Sequence, residues 1–288
     1  MKLSDLLGLL LLGTAWGGSF LFMRVAAPEF GPVALIAVRV SVAALFLLPF
    51  LLRMGDASIL LSRAPKMLLF SVLNSGLPFC LFAFATLHLS AGFTAVLNAV
   101  APLFTAIVAF AWLGERFSRL AVLGLLVGFI GVTVLVSDKI TPGAGAAALG
   151  IVAGLAASFS YGIAANLTRA RFSGVGSLEL AAGSQIGASI VLLPLGVWMW
   201  PEQMPSSNSW AAVLALGVVC TGLAYILFFR LMKNLGPSRA ITVTYLVPMA
   251  AMVFGALFLG EVVTLVMMIG CALILLGTAL ATGLLGKS

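Results

Sequence analysis

Charge is what this 288-residue chain has least of. Asp, Glu, Lys and Arg make up 8% of it and hydrophobic residues 62%, whereas soluble domains carry about 25% charge. So little charge cannot coat a water-facing surface, which excludes a soluble globular fold and leaves lipid as the main solvent. The longest polar stretches, near Arg53–Lys66 and Trp200–Ser209, leave no room for a soluble domain. Cys80, Cys220 and Cys271 all fall in apolar runs without metal-ligand spacing, so they read as small buried hydrophobes and no metal site is expected. There is no Walker A motif, no H-E-x-x-H and no G-x-S-x-G, which excludes direct ATP drive and leaves a hydrolase without its usual parts. The chain is therefore read as neither an enzyme nor a cofactor protein. No Asp or Glu lies at mid-span, where proton- and sodium-coupled carriers usually place one, and this favours a facilitative process.

What is present is apolar sequence in span-sized pieces. Ten runs approach the roughly 20 residues a bilayer requires: Ser4–Ala26, Pro32–Leu52, Met67–Leu87, Ala91–Leu113, Leu120–Val136, Ala146–Leu167, Leu178–Trp200, Trp210–Phe229, Pro237–Leu259 and Val262–Leu285. The first resembles a signal peptide at its start but continues far enough to span. The net charge of +7 would suit nucleic acid only if the cations shared a face, and they do not. Twelve occupy the loops of one side: Lys2, Arg53, Arg63, Lys66, Arg116, Arg119, Arg169, Arg171, Arg230, Lys233, Arg239 and Lys287. Arg24 and Lys139 fall on the other, and Arg39 lies inside a span. The bias places both termini in the cytoplasm. Trp198, Trp200 and Trp210 suit an interfacial belt on the outer side.

The two halves repeat. Leu113-Gly114-Glu115 recurs as Leu259-Gly260-Glu261, 146 residues on, and at that shift Pro102 meets Pro248, Gly76 meets Gly222 and Gly124 meets Gly270. Earlier in the chain the shift is 145, where Arg24 meets Arg169. Each half, residues 1–140 and 141–288, holds five spans. Five is odd, so the second half must enter the membrane upside down. Inverted repeats are a recurring plan of secondary transporters, with substrate held near the midplane between them. The expected fold is all-α: ten transmembrane helices in two inverted five-helix repeats.

Paired helix breakers point to the site. A proline cannot donate to the carbonyl four residues back, so Pro102 frees Asn98 and Pro248 frees Thr244. Ser75-Gly76 matches Thr221-Gly222, Phe79 matches Tyr225, and Trp16 matches Tyr161. Pro78 frees Asn74, but the other half has Ala224 there, so this kink is expected in one half only. The expected substrate contacts are Trp16, Ser19, Arg39, Ser75, Phe79, Asn98, Tyr161, Tyr225, Thr244 and Tyr245, with hinges at Gly76, Pro78, Pro102, Gly222 and Pro248. Singly, such residues also serve as interhelical glue. Arg39 suits a substrate carboxylate; it could instead pair with Glu29 or helix-end carbonyls, or snorkel outward. Glu115 and Glu261 read as structural, binding loop amides or Arg116. His88, in a short outer loop, is a weak candidate for gating. The G-x-x-x-G pairs Gly13/Gly17, Gly124/Gly128, Gly150/Gly154 and Gly183/Gly187 read as internal packing.

Trp16-Gly17-Gly18-Ser19-Phe20, Arg39 and Leu113-Gly114-Glu115-Arg116 followed by Gly124, Gly128 and Gly131 resemble the EamA-type branch of the drug/metabolite transporter superfamily, as two tandem units covering the chain. The second unit departs in following Glu261 with Val262 instead of a basic residue. The resemblance implies alternating access and transport of amino acids, aromatic ones among them, or of related metabolites. The last two spans hold no Lys or Arg at depth, which disfavours phosphorylated substrates. The reading is a monomeric inner-membrane exporter of amino acids or small metabolites, its partners being that substrate and the bilayer. The alternatives are a proton-coupled carrier of drugs or other metabolites, and a non-transporting scaffold or sensor.

Overall fold

The computed structural model describes residues 2–137, Lys139 and residues 145–284. The expected division at residues 140–141, and Lys287, lie outside the described residues. Within them the chain is helical, without strands. Ten long helices succeed one another: α1 (Leu3–Phe30), α2 (Pro32–Met54), α3 (Ala64–His88), α4 (Ala91–Leu113), α5 (Arg119–Val136), α6 (Gly145–Arg171), α7 (Ser177–Trp198), α8 (Ser207–Leu235), α9 (Ile241–Leu259) and α10 (Leu265–Ala281). The first nine are long and apolar enough to cross a membrane; α10 is apolar but has only 17 residues.

Local chemistry sets the ends. Ser90, Ser118, Ser206 and Thr264 cap α4, α5, α8 and α10, each side-chain oxygen accepting from the amide three residues on. The repeated Leu-Gly-Glu is a helix stop. Gly114 and Gly260 take φ of 69° and 64°, a left-handed backbone that glycine adopts without strain, and Glu115 N and Glu261 N donate back to Ala109 O and Gly255 O at 3.3 and 3.0 Å.

Small residues pack among buried rings and leucines inside, and other large apolar side chains face outward. Leu45, Val197, Leu257 and Val262 are exposed, while the main core is rich in alanine around Phe20, Phe30 and Phe82. Close packing in lipid depends on such small residues because no hydrophobic effect drives helices together there. All four G-x-x-x-G pairs are spent inside the molecule, against α9, α10 and α4, α3 and α4, and α3 respectively. The most extensive contacts join the first five helices to the last five, and they come in swapped pairs. Gly17 of α1 meets Val247 and Ala250 of α9; Gly162 of α6, 145 residues on, meets Phe104 and Thr105 of α4.

The tightest pairing is α5 against α10. A Cβ at Gly277 would strike the backbone of Gly128 and Gly124, which cannot move aside as a side chain can. Gly277→Leu is expected to destabilise the fold by about 1–3 kcal/mol or more through overpacking, read as a lowered melting temperature in detergent. An unchanged melting point would contradict this packing.

Two helices depart from α geometry at matching places. In α3, Val72–Gly76 forms a π-helical turn, with Leu77 N donating to Val72 O five residues back. In α8, Val218–Leu223 does the same, with Ala224 N reaching Val219 O. The expectation of a one-sided kink is thus corrected. The irregularity lies just ahead of Pro78 in one helix and forms without a proline in the other. In α4 the helix breaks at Ala99–Val100 before Pro102, and α9 opens with a tightened 3₁₀ turn, Ile241–Tyr245, before Pro248.

Candidate functional site

Both π turns flank one buried cation. Arg39 on α2 is 4% exposed. Its Nε donates to Thr221 Oγ1 at 3.1 Å, Nη1 lies 3.7 Å from Met23 Sδ, and Cζ sits 3.8 Å from the centre of the Phe79 ring. Tyr161, Tyr225, Cys80 and Cys220 lie within electrostatic reach of it. Among the described residues no carboxylate lies within 4.0 Å. The Glu29 alternative is overturned, because that carboxylate accepts from the amide and hydroxyl of Ser206. Burial likewise overturns snorkelling. The Thr221 hydroxyl donates to Leu216 O at 2.7 Å, so its lone pairs are left for Arg39. Phe79 supplies a cation–π contact, which compensates only part of the cost of desolvating a guanidinium. The remaining N–H groups of Arg39 have no partner among the described residues. Such an arrangement is chemically suited to receive an anion.

One helical turn away is a polar cluster. Ser75 and Ser184 are fully buried, as is Gln185. Gln185 Nε2 donates to Ser75 Oγ at 2.9 Å and to Ser184 Oγ at 3.0 Å, and Asn74 Nδ2 to Ser75 Oγ at 3.3 Å. Tyr225 faces both groups, lying beside Asn74, Ser75 and Ser184 as well as Arg39. Among the described residues, the Gln185 Oε1 atom is buried without a partner. So is Ser19 Oγ, on α1 next to Cys220.

The structure therefore brings together Ser19, Arg39, Ser75, Phe79, Tyr161 and Tyr225. Gly76 and Gly222 sit in the π turns, and a Cβ at Gly222 would run into the Phe46 ring. Trp16 is half-buried at the edge, 5.3 Å from the Phe228 ring, and Tyr161 is 6.0 Å from Phe82. Asn98, Thr244 and Tyr245 are not joined to this cluster. Asn98 closes the first segment of α4. Carbonyls beside that break are taken from outside, Leu97 O by Ser158 Oγ at 2.8 Å and Ala99 O by Thr278 Oγ1 at 3.4 Å. The Thr244 hydroxyl turns back to Ile241 O at 2.8 Å. Pro102 thus marks a break served by neighbouring helices, whereas the turn ahead of Pro248 is served from within α9. Two apolar grooves, about 430 Å³ along α5 and about 260 Å³ between α1 and α9, are lined by residues such as Ile130 and Val253 that face outward, and touch none of these groups.

The paired glutamates have partners that tie the halves together. Glu261 accepts twice from Ala91 N, both at 2.9 Å, and lies 3.8 Å from Arg24 Nε, while Arg24 also donates to the carbonyls of Thr86 and Leu87. Glu115 pairs with Arg169, which corrects the expected role of Arg116. Arg24 and Arg169 are themselves matched positions, so each bridge is the exchanged copy of the other.

Sequence reasoning missed the π turns and Gln185. The recurrence of Ser75-Gly76 as Thr221-Gly222 was the available signal.

A solved crystal structure superposes over the whole of both chains with a TM-score of 0.66 at 20% identity, which shows the fold. The uncharacterized transporter YoaV of Bacillus subtilis is 25% identical over 96% of each chain. A protein of Streptantibioticus cattleyicolor named "Probable terminal-alkyne amino-acid exporter" is 25% identical over 97% of this chain and 94% of its own. The model of the EamA-like transporter family matches twice in tandem, over residues 3–137 and 148–283. Those two segments take in all ten helices, but for the first three residues of α6, and every residue of the Arg39 cluster, and the chain belongs to the EamA-like transporter family, as a multi-pass membrane transporter.

Proposed function

We propose that the protein exports amino acids, aromatic or neutral ones among them, by facilitative alternating access across a bacterial inner membrane. Its ten helices would act as two inverted five-helix units with both termini cytoplasmic. The observation that carries the substrate reading is Arg39, a buried guanidinium with no carboxylate partner among the described residues, beside the Phe79 ring. A substrate carboxylate would supply the missing charge and the fork-to-fork hydrogen bonds, and Phe79, Tyr161 and Tyr225 would receive its apolar body. The two π turns, with Gly76 and Gly222, give each half a deformable point beside the site, which supports a rocking mechanism. The swapped helix contacts support inverted units. The name of the Streptantibioticus relative supports amino acids over other metabolites.

The test is efflux from proteoliposomes loaded with labelled phenylalanine, tryptophan, threonine, methionine and a cationic dye, with and without a proton gradient. Saturable amino-acid release unaffected by collapsing the gradient is expected. Release of the dye alone would overturn the amino-acid reading in favour of a drug carrier. No flux from folded protein would favour a scaffold.

A further inference from the structure

The amide of Gln185 is oriented by its neighbours. Ser184 spends its hydroxyl proton on Ala181 O at 2.8 Å, so towards Gln185 it can only accept. Ser75 spends its own on Ser184 at 3.3 Å. The group of Gln185 facing the two serines must therefore be the NH₂, and both its hydrogens are used there. The carbonyl oxygen is left as a fully buried acceptor with no donor among the described residues. A buried polar atom left so is costly, and in native proteins it calls for a partner.

Its position relative to Arg39 follows from two helices. Arg39 touches Phe79 of α3 and Thr221 of α8, whereas the Gln185 cluster touches Ser75 of α3 and Tyr225 of α8. Each pair is four residues apart on its helix, which offsets the two groups by roughly one turn, about 5–6 Å, along the bundle. An α-amino acid carries its carboxylate and its ammonium on one carbon, a span that fits between two such groups.

We propose that Gln185, held in orientation by Ser75 and Ser184, receives the α-ammonium group of the substrate, so that the site selects zwitterionic α-amino acids over carboxylates that lack the amine. This rests on Arg39 receiving the carboxylate. Gln185 is neutral and can only accept with Oε1, so it favours a donor on the ligand without adding a charge that would cancel Arg39.

The test is calorimetric titration of the purified protein in detergent with three matched ligands: phenylalanine, 3-phenylpropionate and phenethylamine, repeated with leucine, 4-methylpentanoate and 3-methylbutylamine. The amino acid is expected to bind about 10- to 100-fold more tightly than its des-amino acid, the worth of a buried hydrogen bond to a charged group. In Gln185→Met that ratio is expected to fall to near one. Equal binding of amino acid and des-amino acid by the unaltered protein would overturn the role of Gln185 while leaving the Arg39 reading intact, and needs no variant to fold. A ratio unchanged in folded Gln185→Met would do the same. Binding of the amines alone, or of no ligand, would overturn both.

Discussion

Replacing Arg39 with methionine is expected to preserve or raise the melting temperature while lowering amino-acid flux by about 100-fold or more. The two effects have one cause. A guanidinium buried at 4% exposure, with no carboxylate beside it among the described residues, loses several kcal/mol to desolvation that Thr221 and the Phe79 ring offset only in part. Methionine fills a similar space without that cost. Flux is expected to fall because, on the proposed reading, the substrate carboxylate would lose two charge-assisted hydrogen bonds inside a low-dielectric site. Arg39→Lys keeps the charge but not the planar fork, and an intermediate loss of roughly tenfold is expected. A structural role would give the opposite sign, with Arg39→Met melting several degrees lower. Melting curves of the purified variants, run beside proteoliposome efflux, separate the two.

Glu261→Ala is expected to cost about 2–3 kcal/mol of stability and Glu115→Ala less than about 1 kcal/mol, although the two glutamates are matched copies. The difference lies in what each carboxylate receives. Glu261 is 14% exposed and accepts from the Ala91 amide as well as facing Arg24, so its loss strands a helix-end N–H and removes the carboxylate opposite Arg24. Position 91 corresponds to Pro237, which has no N–H to offer. Glu115 is left with Arg169 in a pair exposed at 47% and 54%, where solvent screens the attraction. Melting temperatures of the two variants test this, and equal shifts would contradict it.

How much of this was legible follows from the physics of each signal. The helices were, because lipid imposes a length and a polarity that composition reports directly. The Leu-Gly-Glu stops were legible as a repeat, but their mechanism, a left-handed glycine and a back-donating glutamate amide, needed coordinates. Arg39 stood out because a charge in an apolar run has few explanations; that Glu29 is occupied by Ser206 depends on α1 meeting the start of α8, which no local pattern encodes. The π turns were hidden because an inserted hydrogen-bond register needs no proline, as α8 demonstrates. Pro102 and Pro248 drew attention to Asn98 and Thr244, yet Ser158 and Thr278 serve the break in α4 from other helices, and Thr244 bonds to its own. Gln185 looked ordinary because an amide's importance lies in which of its atoms goes unpaired.

The most direct measurement is equilibrium binding of a labelled amino acid, one that the proteoliposomes release, to purified unaltered protein, Arg39→Met and Glu115→Ala. Saturable binding by the unaltered protein and Glu115→Ala, with none by folded Arg39→Met, is the result this site requires. Equal affinity in Arg39→Met would place the substrate elsewhere in the bundle.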